Sequence, residues 1–323
     1  MPPEFNIESE ISERSCKELT DFDPRNPFYT KHYIETKQIL GYQPYLLSLR
    51  KGGEIVSICP AFIKSENLIK SLDIESLPRL PIPEPFWEGL LSFCKQEGIA
   101  NLSINSYASD PVNIPKLSEE ENRHNRSEYS IKLQGVDIFR QMRPTHRQKV
   151  NKAIKTGVTI RCSLDEKARK GHLNAVEGSM TRRKERGEIF NPVSPQIYNA
   201  VIESGAAEIF QSELNDNIVS SALIVTSKKG AYYYWAGTTI EGMKCGASHF
   251  LIYNISKILQ ERGIEVFNLG GTDLRNEGLV EFKRGFGTDE VCLESAEFVL
   301  GHKLKMKVGK AVKLLKRSLL NAK

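Results

Sequence analysis

The most restrictive feature of the chain is the run between residues 207 and 271. Three strand-like segments, Ala207 to Glu213, Ile218 to Ser227 and Ala231 to Ala236, follow one another across the short turns Asn215-Asp-Asn217 and Lys228-Lys-Gly230. Turns this short leave successive strands antiparallel, so the segment predicts a meander. Gly246-Ala247-Ser248 then opens an amphipathic helix that closes at Arg262-Gly263, and an apolar strand, Ile264 to Leu269, runs into Gly270-Gly271. A meander, a helix and a returning strand imply a mixed sheet with helices against it, an α/β (α+β mixed sheet) fold.

The segments before and after extend that unit. A strand from Tyr129 to Leu133 leads to a basic helix from about Asp137 to Thr156, which Pro144 divides. Val158 to Arg161 is predicted as a strand, and Lys167 to Arg186 and Pro195 to Ser204 as helices. A short helix around Leu279 to Phe282 and a strand pair near Val291 to Leu300 close the unit. Upstream, residues 13 to 40 suggest irregular structure and one short helix. Tyr45 to Arg50 and Glu54 to Ile63 form a hairpin around Gly52-Gly53, and a helix from Phe86 to Gln96 precedes the strand Ile99 to Ile104. The charged stretch from Asp110 to Ser127 marks a boundary. The expected division is residues 1–127, residues 128–300 and a C-terminal segment, 301–323.

At 323 residues, 40% hydrophobic and 26% charged, the chain has the balance of a water-soluble globular protein. No apolar run reaches the roughly 18 residues of a membrane span, and the acidic N-terminus is unlike a secretory signal, so cytoplasm is the expected compartment. Six scattered cysteines without a C-x-x-C pair predict neither a disulfide framework nor a zinc site, and no metal is expected. Lys and Arg number 45 against 40 Asp and Glu, but eight of the basic residues lie after Gly301, where there is no acid. That tail also repeats Leu304, Val308, Ala311, Leu315 and Leu319 at helical spacing. It reads either as an interfacial membrane helix or as a helix packed on its own domain.

Five motifs together resemble a known family. They are Arg147-Gln-Lys-Val-Asn-Lys-Ala-Ile-Lys-Thr-Gly157-Val, Tyr232-Tyr-Tyr-Trp-Ala-Gly237, Gly246-Ala-Ser before a helix, Phe267-Asn-Leu-Gly-Gly271, and Phe282-Lys-Arg-Gly-Phe-Gly287. In this order they are similar to the FemABX group of peptidoglycan-bridge aminoacyltransferases and to FemAB-like acetyltransferases of polysaccharide pathways. The likeness covers most of Glu128 to Leu300. It implies tandem GNAT-like domains, the first degenerate, and an acyl or aminoacyl transfer to an amine. The long coiled-coil insertion by which some bridge-forming members hold transfer RNA has no counterpart here.

Such a transfer needs a polarised carbonyl, a donor for the developing oxyanion and a route for the amine proton. The resemblance makes Phe282-Lys283 an active-site position in which the lysine stabilises negative charge. Tyr234 is the expected proton carrier or hydrogen-bond donor, since alternation puts one of Tyr233 and Tyr234 on the cleft face. Asp273 and Glu281 are the candidate general bases. The segment Met243-Lys244-Cys-Gly246-Ala247-Ser248 aligns with the GNAT phosphate loop, except that Met243 stands at its first, polar position. Helix N-terminal amides there would hold the pyrophosphate of an acyl-CoA such as acetyl-CoA. Arg147, Trp235 and Arg284 are expected to bind substrate. The expected donor is acyl-CoA, with aminoacyl-tRNA as the alternative, and the expected acceptor a small-molecule or lipid-linked sugar or peptide precursor of the cell envelope. The rival class is a GNAT-like protein without catalysis that binds a phosphorylated or nucleic-acid partner through its basic surfaces.

Overall fold

A computed structural model describes residues 2–187, 194–272 and 276–301. The segment 302–323, which carries the basic tail, and Asp273 lie outside the described residues. The chain forms two compact units. Among the described residues, the first comprises 2–23, 37–125 and 292–301, and the second those within 24–36 and 126–291.

The first unit begins with strand β1 (Glu4–Glu8) and helix α1 (Glu13–Phe22), where the sequence suggested only irregular chain. β1 alternates Phe5 and Ile7 with polar residues and pairs at the edge with β2 (Gln43–Lys51), but five residues are too short a run to mark a strand without that partner. The Ser12 hydroxyl caps α1 by accepting from the Ser15 N–H. A 3₁₀ turn (Pro27–Tyr29) and helix α2 (Lys31–Ile39) follow in the chain, their residues up to Thr36 belonging to the second unit, and then β2 and β3 (Glu54–Glu66) form the predicted hairpin of the first. β4 (Ile69–Ile74), not legible in the sequence, pairs with β3, and helix α3 (Glu84–Glu97) returns the chain to β5 (Asn101–Ile104), parallel to β4. Gly98, at φ +65°, ends α3 in the left-handed conformation.

Strand β6 (Glu120–Lys132) starts inside the stretch expected to be a polar separator, and its residues 126–132 belong to the second unit. The basic helix is divided at Pro144 into α4 (Ile138–Gln141) and α5 (Pro144–Lys155), with proline at the first helical position, where its missing N–H has no partner to lose. Then come β7 (Thr159–Cys162), α6 (Glu166–Glu185), α7 (Pro195–Glu203) and the meander β8 (Ala207–Leu214), β9 (Asn217–Thr226) and β10 (Gly230–Thr238). Short α8 (Ile240–Cys245) leads through Gly246 into α9 (Ala247–Glu261), followed by β11 (Val266–Thr272), α10 (Glu277–Arg284) and β12 (Asp289–Val299). The pair of strands expected at the end is this single strand, whose residues 296–299 lie antiparallel to β5. Within the second unit the strand order is β6-β11-β10-β9-β8-β7, with β10 and β11 the parallel pair.

Helices cover both faces of this sheet, and strand alternation sorts the contacts. On one face Ala247, Leu251, Ile255 and Leu259, four residues apart along α9, pack with Val150 of α5 onto Phe210, Ala222, Ile224 and Phe267. On the other face α6 meets the intervening positions, where the Gln211 side-chain amide donates to the Ala168 carbonyl and His172 bonds Ser221. Gly237 permits that contact, because a Cβ there would stand 2.2 Å from the Ala175 backbone. Two backbones cannot yield as a side chain does, so Gly237→Ala should destabilise the protein by about 1–3 kcal/mol. Urea unfolding checks it, and an unchanged midpoint would show that α6 does not pack this closely. Among the described residues no helix is long and apolar enough to cross a membrane.

Candidate active site

The pairing of β10 with β11 stops early. Gly230, Ala231 and Tyr232 face Val266, Phe267 and Asn268, and no pairing follows although both strands continue. Each strand is bulged just past that point. On β10 the register against β9 slips between Tyr233 and Trp235, leaving Tyr234 as the extra residue. On β11 it slips against β6 between Asn268 and Gly271, with Gly270 at φ +74°.

Helix α10 brings Lys283 to this place. Asn276 caps the helix through the Leu279 N–H, and Lys283 is only 6% exposed. Its Nζ donates to the Gly270 carbonyl at 2.8 Å and to that of Gly271 at 2.7 Å, with the Tyr129 ring 5.8 Å away. Burial pushes the Lys283 amine down to about 7, against the opposing pull of the Glu128 carboxylate, and Arg183 lowers it further. Glu128 is 1% exposed. It accepts from the Tyr232 hydroxyl at 2.9 Å, Asn268 Nδ2 at 2.7 Å and Arg126 Nη2 at 3.3 Å.

The other expected residues are placed differently. Glu281 lies two residues, about 200°, from Lys283 around the helix, so it is exposed where Lys283 is buried. Its carboxylate pairs with Arg143, which holds it below the usual range. α10 therefore does not bring Glu281 to Lys283, and the expected base is not beside the amine. Phe282 packs against the core with His146, His249 and Phe286, and its carbonyl bonds to His146 Nε2 at 2.9 Å. Arg284 is engaged by Glu290 at 2.6 Å. Arg147 Nη1 donates to the Arg140 and Met142 carbonyls, closing the end of α4. Tyr234 and Trp235, half-buried, lie ring to ring at 4.9 Å.

At the start of α9, Lys244 is exposed, Ser248 half-buried, and Gly246 and Ala247 buried. A Cβ on Gly246 would stand 2.6 Å from the Lys149 carbonyl oxygen of α5. The α5 backbone thus lies directly against the Cα of Gly246. Among the described residues no three His, Cys, Asp or Glu are grouped to hold a metal ion.

Sequence reasoning passed over Glu128, Asn268 and Tyr232. A signal existed: Asn268 is the one polar residue in the apolar run Ile264 to Leu269 apart from Glu265, and a buried polar side chain requires partners.

A parted parallel strand pair after a meander, with the main helix between, is the arrangement of GNAT acyltransferases, and residues 140–284 match the family model for the acetyltransferase (GNAT) domain. The FemX crystal structure superposes with TM-score 0.68 over 96% of this chain and 100% of that one, at 16% identity. The C-terminal domain (DUF2156) of a putative lysylphosphatidylglycerol synthetase from Agrobacterium fabrum gives 0.55 over 92% and 94%, at 13% identity. A tandem GNAT protein from the clavulanic acid biosynthesis pathway gives 0.55 over 92% and 98%, at 8% identity. At such identities the structural likenesses establish the fold. No curated protein matches the sequence. Residues 140–284 are thus identified as an acetyltransferase (GNAT) domain, and the chain shares the fold of FemX.

Proposed function

We propose that the second unit transfers an aminoacyl or acyl group from an ester to the amine of a cell-envelope precursor, with Lys283 as the group that stabilises the oxyanion. The observation that carries this reading is the buried Lys283 amine, held by the Gly270 and Gly271 carbonyls where β10 and β11 part. An ammonium has three N–H donors. Two point at carbonyls, and the third is the donor that a tetrahedral oxyanion would take, in surroundings dry enough to strengthen the attraction. As the acceptor nitrogen attacks the carbonyl carbon, the carbonyl oxygen gains charge. Collapse breaks the bond from the carbonyl carbon to the ester oxygen, and the proton lost by the acceptor nitrogen ends on that oxygen, which leaves as the alcohol.

One observation favours an aminoacyl ester over a coenzyme A thioester as donor. The likeness to a putative lysylphosphatidylglycerol synthetase domain, a protein named for an aminoacylated lipid, suits an aminoacyl donor. Thermal shift with alanyl-tRNA, lysyl-tRNA, acetyl-CoA and CoA tests the choice. A ligand at a hundredfold excess over its Kd stabilises by about 2.7 kcal/mol. The expected result is a raised Tm with an aminoacyl-tRNA and none with the CoA compounds. A rise with acetyl-CoA instead overturns the ester donor, and no rise with any of the four favours a binding protein without catalysis.

A further inference from the structure

We infer that Asn268 and Glu128 are positioning residues whose side chains, joined to the Gly270 N–H, aim the Gly270 and Gly271 carbonyls and through them the Lys283 amine. This rests on the catalytic reading of Lys283 given above. In a regular strand, successive carbonyls point in opposite directions, so one ammonium cannot donate to both. Gly270 and Gly271 nonetheless both receive the Lys283 Nζ. The extra residue that β11 carries against β6, with Gly270 in the left-handed region, breaks the alternation.

The bulge is tied from within. Asn268 Oδ1 accepts from the Gly270 N–H at 2.7 Å, and its Nδ2 donates to Glu128 Oε2 at 2.7 Å. The two partners fix which end of the amide is which, because an N–H can only donate and a carboxylate can only accept. Tyr232 holds the second carboxylate oxygen at 2.9 Å. A carboxylate this deeply buried adds little stability over an apolar replacement, and its best-attested use is to fix a geometry. Around the amine stand Glu128, Arg126 and Tyr129 from β6, Tyr232 from β10 and Arg183 from α6, while Glu281 and Arg284 of its own helix are exposed. Glu128 is the only one of these groups that the Asn268 amide links to the Gly270 bulge.

Lys283 Cε can be followed by NMR in full-length protein carrying 13C-lysine, its signal assigned by its loss in Lys283→Arg. Glu128→Gln removes the negative charge, and Asn268→Leu releases the Gly270 N–H. Both should lower the Lys283 titration by about one pH unit or more, since opposite charge and accepting carbonyls favour the ammonium. Both should also lower kcat for transfer from alanyl-tRNA to a lysyl peptide by roughly 10- to 100-fold, with KM for the donor little changed. Asn268→Asp retains the acceptor for Gly270 and should titrate no lower than the wild type. Unmoved titrations in Glu128→Gln and Asn268→Leu, or an Asn268→Asp shift as large as that of Asn268→Leu, overturn the inference. Should Asn268→Leu fail to fold, Glu128→Gln against the wild type decides it. Loss of the catalytic reading would appear separately, as full transfer by Lys283→Ala, and the titrations would still stand.

Discussion

Replacing Lys283 by alanine should lower the rate of acyl transfer by roughly 100- to 1,000-fold, the usual effect of removing one oxyanion donor. The loss should fall on kcat more than on the donor's KM, because the interaction strengthens only as charge develops on the carbonyl oxygen. The amine is already placed by two carbonyls at 2.8 and 2.7 Å, so no reorganisation is needed when the oxyanion forms. With its ionisation pushed down to about 7, the wild-type rate should also fall as pH rises through that region and Lys283 loses its charge. Single-turnover transfer from alanyl-tRNA to a lysyl peptide, compared between the two proteins across pH, is the measurement. Equal rates would remove Lys283 from the mechanism.

The second large effect is on stability and carries the opposite sign. Burial lowers the Lys283 amine from 10.5 to about 7, so between those values the unfolded chain binds a proton that the folded chain does not. Stability therefore rises with pH across that window. Below pH 7 the folded protein carries a buried charge, and the full penalty is on the order of 5 kcal/mol at 1.36 kcal/mol per pH unit. Lys283→Met, which fills the same space without a charge, should be the more stable protein at pH 7. Its advantage should shrink by about 2–3 kcal/mol at pH 9. Urea unfolding at the two pH values measures the difference, and parallel stabilities would mean that the amine keeps its ordinary ionisation in the fold. A residue that destabilises the fold where it is charged, yet is held by two backbone carbonyls, has the profile of a group retained for chemistry.

These two predictions rest on a residue that the sequence exposes and on an environment that it hides. Lys283 stood out because Phe282-Lys-Arg-Gly-Phe-Gly287 is a local pattern, with glycines and aromatics bracketing the cations within six residues. Glu128 and Tyr232 did not, since each sits in its own strand and gains meaning only when β6, β11 and β10 become neighbours. The same limit explains Glu281. Sequence proximity to Lys283 suggested a shared site, and the 100° turn per helical residue separates them.

Local chemistry determined most of the elements. Short turns set the meander of β8, β9 and β10, the four-residue apolar repeat set α9, Pro144 set the break between α4 and α5, and Gly98 set the end of α3. Those signals act between residues close in the chain, so the sequence by itself carries them. Strand β1, whose alternation of Phe5 and Ile7 with polar residues spans only five positions, and strand β4 are defined by the partners they pair with. So are the bulges at Tyr234 and Gly270, each of which is an excess of one residue over a neighbouring strand. The packing of α5 over Gly246 and the burial of Lys283 likewise depend on chain segments brought together from about a hundred or more residues away, as in the pairing of Glu128 with Asn268. Tertiary structure alone decided them, because pairing, close approach and desolvation belong to no single stretch of chain.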